Sequence, residues 1–170
     1  MSTSVLVAYA TNYGSTREVA EAVGAALHDA GLRVDSQPAG SVRGLAGYDA
    51  VVLGAALYMF RVHKDARRFL SRHGKELRGL PTAVFALGPF HDEEKEWQGA
   101  REQLDKELAR YPGLQPIARQ VFGGKFEPAM LRPPWSLLPA LKGLPASDIR
   151  DWEAIRAWAA DLAPRLANKA

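Results

Sequence analysis

The sequence predicts a doubly wound α/β fold built on a five-stranded parallel sheet. Strand-like and helix-like segments follow one another in the order βαββαβαβα. Most strand segments are near-continuous apolar runs, as expected of strands covered by helices on both faces. The connections are short, with one long exception near the C-terminus.

Each element has its own signal. Val5 to Ala10 is an apolar run that reads as a buried first strand. From Thr16 to Ala30 the apolar residues Val19, Ala22, Val23, Ala26 and Leu27 fall on one helical face, and Gly31 stops the helix. Leu32 to Gln37 alternates like an edge strand. Asp49 to Ala56 is a second fully apolar run. Val62, Ala66, Phe69, Leu70, His73 and Leu77 form a second helical stripe. Thr82 to Leu87 is a further apolar strand, and Trp97, Leu104, Leu108 and Tyr111 mark a third helix. Ile117 to Phe122 reads as the last strand. Trp152, Ile155, Trp158, Ala159, Leu162 and Leu166 mark the last helix.

Composition narrows the function classes. The 170 residues suit one domain, residues 1–170, with 47% hydrophobic and 24% charged residues. No apolar run approaches the roughly 20 residues that span a bilayer. The N-terminus lacks a basic segment followed by an apolar one, so no signal peptide is expected. A cytoplasmic location fits these features and the absence of cysteine. That absence excludes disulfides, thiolate nucleophiles and metal–sulfur sites. The histidines His28, His63, His73 and His91 show no metal-binding spacing, so no metal site is expected. The net charge is +3 and the isoelectric point about 9.3. Basic residues are dispersed, and no nucleic-acid partner is expected. No Gly-x-Ser-x-Gly elbow points to a serine hydrolase.

Open α/β sheets bind ligands beyond the carboxyl ends of their strands. The first such loop reads Thr11-Asn12-Tyr13-Gly14-Ser15-Thr16. Hydroxyl and amide side chains there meet the N–H groups and positive dipole end of the first helix, a setting that suits a phosphate. Gly14 permits a tight turn. The loop has no lysine and is neither a Walker A loop nor a dinucleotide fingerprint. Ser15 or Thr16 acting only as a helix cap is the simpler alternative.

The stretch from Tyr9 to Thr16 resembles the FMN phosphate loop of flavodoxins. Val51 to Tyr58 is similar to that family's third strand and following flavin loop. Ala86-Leu87-Gly88-Pro89-Phe90 matches the second flavin loop. The resemblance implies the strand order 2-1-3-4-5 and FMN as cofactor. It implies that Thr11, Asn12, Tyr13, Gly14, Ser15 and Thr16 hold the phosphate. Ala55, Ala56, Leu57, Tyr58, Met59 and Phe60, with Gly88, Pro89, Phe90 and His91, would flank the isoalloxazine. Tyr58, Phe60, Phe90 and His91 are the ring-contact candidates, since aromatic groups stack on a flat π-system and exclude water. His63 and His91 are also candidate proton relays.

The long connection from Gly123 to Arg150 carries five of the eleven prolines. Val121-Phe122-Gly123-Gly124-Lys125-Phe126, the insert 127–147 and Arg150-Asp151-Trp152-Glu153 are together similar to the menaquinone-dependent protoporphyrinogen oxidases of heme biosynthesis. That resemblance implies an FMN-dependent oxidoreductase passing electrons between a porphyrinogen and a quinone. Its insert is richer in proline than the family pattern. Lys125, Arg132, Trp135, Leu138 and Lys142 are candidates for contact with substrate or partner. The insert packs back as a cover, walls an apolar acceptor, or makes peripheral contact with a membrane. Asp151-Trp152-Glu153 has a structural explanation as a helix start. The alternative function is a flavodoxin electron carrier serving a redox protein partner. Such carriers are usually acidic, and the isoelectric point counts against that role.

Overall fold

A computed structural model describes residues 2–58 and 61–168, with the side chain of Tyr58 outside that description. The three central strands form because β-branched and small apolar residues run with little interruption, while the two edge strands mix apolar with polar residues. The five are β1 (Ser4–Ala10), β2 (Arg33–Pro38), β3 (Ala50–Tyr58), β5 (Thr82–Leu87) and β6 (Ala118–Phe122). These pair in the order β2-β1-β3-β5-β6, all parallel, which is the predicted 2-1-3-4-5 order of the five main strands. A two-residue strand, β4 (Arg61–Val62), folds back antiparallel on the end of β3.

The period-2 alternation of strands divides the core in two. Val5, Val7, Val52, Phe85 and Leu87 point to one face and pack with α1 (Ser15–Asp29) and α6 (Trp152–Ala167). Leu6, Ala8, Val51, Leu53, Val84 and Ala86 point to the other. There they meet α2 (Lys64–Arg72), α3 (Gly74–Leu77) and α4 (Glu94–Leu108). Gly54 fits between the layers because a Cβ at this position would lie 2.1 Å from the buried Phe85 ring.

The second helical stripe departs from the expectation of one helix. Val62 lies in β4, and the helix divides at His73. His73 leaves helical geometry at φ −105° and ψ 14°, caps α2 through its N–H to the Phe69 carbonyl, and packs its ring 4.9 Å from that of Phe69. Gly74 follows, a weak helix former, and α3 resumes with the Leu77 N–H on the His73 carbonyl. The third helix starts at Glu94, before Trp97, and Tyr111 lies beyond its end.

The insert carries little regular structure. Two 3₁₀ turns (Pro128–Met130 and Trp135–Leu137) and the single-turn α5 (Pro139–Lys142) lie between β7 (Lys125–Phe126) and β8 (Ser147–Asp148). These two short strands pair antiparallel, Lys125 with Asp148 and Phe126 with Ser147. No helix among the described residues is long and apolar enough to cross a membrane.

Candidate functional site

The strand order reverses between β1 and β3, so their carboxyl ends open a crevice. Ala10 is in register with Ala55, Ala56 with Leu87, and Leu87 with Phe122, so β1, β5 and β6 end at nearly one level while β3 runs on to Tyr58. Between these loops and the insert lies a cavity of about 310 Å³, within the usual size range of small-molecule sites.

The loop after β1 makes one wall. Thr11, Asn12, Tyr13 and Ser15 line it. Gly14 takes φ +91°, a left-handed turn that suits glycine, and its N–H donates to Thr11 Oγ1 at 2.9 Å. The chain then enters α1, whose first-turn N–H groups have no carbonyl partners within the helix. Thr16 is fully buried, and its Oγ1 has no hydrogen-bond partner. These donors and the orphaned hydroxyl fit a phosphate group. Arg17 is turned to Glu21 at 3.0 Å on the exposed side of α1.

Two contacts fix this loop from outside. Asn12 Oδ1 lies 2.8 Å from His63 Nε2. His63 Nδ1 accepts the Asp65 N–H at 3.1 Å and caps α2, so the proton sits on Nε2 and donates to Asn12. Burial holds the His63 pKa below the ordinary histidine value; Asp65 opposes this, and Lys64 and Arg67 add to it. On the other flank, Arg150 Nη1 reaches Glu18 at 2.8 Å, and Nη2 reaches Asp148 at 2.8 Å. Nη1 also points to the Ser15 carbonyl at 3.4 Å, and the guanidinium lies 4.7 Å from the Trp152 ring centroid. The Arg150 side chain is only 4% exposed, and it neutralises Glu18, which lines the cavity.

The remaining walls come from three segments. Ala56 and Leu57 line the cavity from the end of β3. Met59 and Phe60 lie outside the described residues, as does the side chain of Tyr58. Arg61, just beyond, pairs with the buried Glu107 of α4 and ties this loop to the helix layer. Leu87, Phe90 and His91 line the cavity from the β5 side. The Phe90 ring stands 5.4 Å from that of Phe126, another lining residue. Ala55, Gly88 and Pro89 lie behind this surface. The Pro89 carbonyl accepts the Gly124 N–H at 2.7 Å, joining the loop after β5 to the base of the insert.

The insert forms the roof. Lys125, Glu127, Met130, Leu131, Leu141, Leu144 and Pro145 face the cavity. Of the insert candidates, Lys125 is in the wall, whereas Arg132, Trp135, Leu138 and Lys142 lie elsewhere on the insert. Sequence reasoning chose insert residues by chemistry, not by facing. No helical or strand period in this proline-rich segment marks which apolar residues turn inward. The two relay candidates also separate. His63 is engaged with Asn12 and Asp65, while His91 lies in the cavity wall with Nδ1 2.8 Å from Glu96 Oε1. No group of acidic or histidine side chains among the described residues could hold a metal ion.

Comparison with known proteins agrees with this geometry. A family model described as "Flavodoxin domain" matches residues 6–133. The oxidised flavodoxin 1 of Bacillus cereus is similar in fold, with TM-score 0.63 and 16% identity over 96% of this chain and 99% of that one. A cysteine-to-alanine mutant of the Pseudomonas aeruginosa flavodoxin gives TM-score 0.61 and 18% identity over 98% and 100%. Among curated proteins, the protoporphyrinogen IX dehydrogenase [quinone] of Escherichia coli K12 is 26% identical over 84 residues. That match covers 48% of this chain and 46% of the relative, so the chain spans about half the length of the curated relatives it matches. With β1, its phosphate-type loop and most of the sheet inside the matched region, the chain belongs to the flavodoxin-domain family, and this membership indicates FMN as its cofactor.

Proposed function

We propose that this chain is an FMN-dependent oxidoreductase acting on small, largely apolar redox molecules, with a porphyrinogen as donor and a quinone as acceptor. The observation that carries this reading is the roof. Leu131 and Leu141, with the half-exposed Met130 and Leu144, give the cavity an apolar border over the loops that would flank the flavin. An electron carrier for protein partners has no need of an apolar roof over its cofactor. The name of the Escherichia coli relative supports the same substrate classes.

FMN supplies the two-electron redox chemistry when bound. The residues of this chain supply orientation. Thr11 to Thr16 would hold the phosphate against the start of α1, and Ala56, Leu57, Phe90 and His91 would line the ring's surroundings. Phe90 and Phe126 exclude water from the chamber, and Lys125 offers a cation at its rim for a carboxylate-bearing substrate. Leu137 and Leu138 of the insert are exposed and do not line the cavity. With Arg132 and Lys142 they support peripheral contact with a membrane from the cytoplasmic side.

The test is an anaerobic assay of the FMN-loaded chain with protoporphyrinogen and a menaquinone analogue. A second form joins Phe126 to Ser147 through a short glycine–serine linker in place of the insert. We expect turnover by the intact chain, and retained FMN but lost turnover in the shortened one. Equal turnover by both would reduce the insert to a cover.

A further inference from the structure

His91 and Glu96 form a pair across the boundary between the loop after β5 and α4. His91 follows the loop after β5, its side chain is 54% exposed, and its ring lines the cavity. Glu96, in the first turn of α4, is fixed at both oxygens. Oε2 accepts the Phe90 and His91 N–H groups at 3.0 Å each, and Oε1 meets His91 Nδ1 at 2.8 Å. Partial burial of Glu96 would raise its pKa, but hydrogen bonds from the His91 ring and the two amides outweigh it and hold the carboxyl below its ordinary range. An ionised Glu96 only accepts, so Nδ1 carries a proton. Nε2 is left without a partner among the described residues, on a ring that borders the flavin chamber. The carboxylate thereby sets the tautomer and aim of an imidazole, an arrangement suited to proton transfer.

Resting on the function proposed above, we infer that His91 is the proton donor to the quinone and Glu96 its positioning residue. Reduction of a quinone to a quinol adds two electrons and two protons. Reduced FMN, when bound, would supply the two electrons and one of the protons as a hydride equivalent. The second proton comes from the imidazolium form of His91: the Nε2–H bond breaks as an O–H bond forms on the remaining quinone oxygen, while Nδ1 keeps its proton on Glu96. The imidazole is left neutral and recovers its proton from solvent through its exposed edge. The other charged groups bordering this chamber are Glu18 of α1 and Lys125 and Glu127 of the insert. Asp92, next in sequence, is occupied by the Trp97 indole N–H at 2.8 Å.

The test compares the FMN-loaded chain with its His91→Gln and Glu96→Gln variants. Each is reduced anaerobically and mixed with a soluble naphthoquinone or with ferricyanide, which takes electrons without protons. The ratio of quinone rate to ferricyanide rate should fall about 100-fold in His91→Gln and less in Glu96→Gln. Independently of turnover, ¹⁵N NMR of the cofactor-free chain should find the His91 ring proton on Nδ1, with that preference lost in Glu96→Gln. An unchanged rate ratio in His91→Gln overturns the role of His91 alone. A wild-type tautomer with the proton on Nε2 overturns the role of Glu96. Wild-type protein that reduces ferricyanide but no quinone overturns the proposed function, and the His91 assignment with it.

Discussion

Asn12 in the loop after β1 accepts a hydrogen bond from His63 at the start of α2, 2.8 Å away across 51 residues of sequence. The same imidazole caps α2 through Asp65. One neutral ring therefore joins the phosphate-type loop to the helix layer on the far side of the β3 loop.

This contact makes stability depend on pH. The folded-state pKa of His63 is depressed by burial. Its contribution is fully present above the unfolded value of about 6.5 and is lost as pH falls through the depressed folded value. Protonation turns Nδ1 into a donor and ends the cap. Thermal melts of the cofactor-free chain should show His63→Ala about 1 kcal/mol less stable at pH 7.5. That is a shift of about 2–4 °C. The gap between wild type and variant should narrow towards pH 5, and a constant gap would contradict this role.

Thr16 sets stability against binding. Its buried hydroxyl has no partner in the protein, so Thr16→Val should leave the cofactor-free chain as stable or raise its melting midpoint by about 2–4 °C. A hydrogen bond to a charged phosphate is worth about 1.5–3 kcal/mol, so FMN affinity should fall about 10- to 150-fold. Fluorescence titration with FMN and a melt of the same sample check both signs at once.

Arg150 holds Glu18 and Asp148 together. Arg150→Ala leaves an uncompensated Glu18 beside the phosphate-type loop and frees the end of the insert. We expect FMN to bind about tenfold more weakly and limited proteolysis to cut sooner within 127–147. Arg150→Lys should not restore either property, because an ammonium cannot serve both carboxylates as the planar guanidinium fork does. Full rescue by lysine would reduce the contact to simple charge.

Gly54→Ala should cost about 1–3 kcal/mol, since its Cβ would meet the Phe85 ring well inside contact distance. A double variant with Phe85→Leu should recover part of that loss in urea melts, and no recovery would place the strain elsewhere.

The sheet was legible in the sequence because β1, β3 and β5 are buried on both faces and leave unbroken apolar runs. The place of the loop after β1 at the cavity was legible because it lies between the first strand and the first helix. Other features left no periodic trace. The break at His73 is hidden because the apolar stripe from Ala66 to Leu77 runs through it. The two-residue strand β4 is too short to alternate. Met130, Leu131, Leu141 and Leu144 border the cavity, and nothing in a proline-rich segment without a period told them from Arg132, Trp135, Leu138 and Lys142. The His91–Glu96 pair spans five residues across a loop–helix boundary, a spacing that belongs to no helical face.

The two-rung ladder of Lys125 with Asp148 and Phe126 with Ser147 brings the ends of the insert side by side. Whatever lies between those rungs begins and ends at one fixed doorway. The pairing of the main sheet does not run through that segment. A change confined between the rungs therefore alters one border of the cavity and leaves the loops after β1, β3 and β5 as they are.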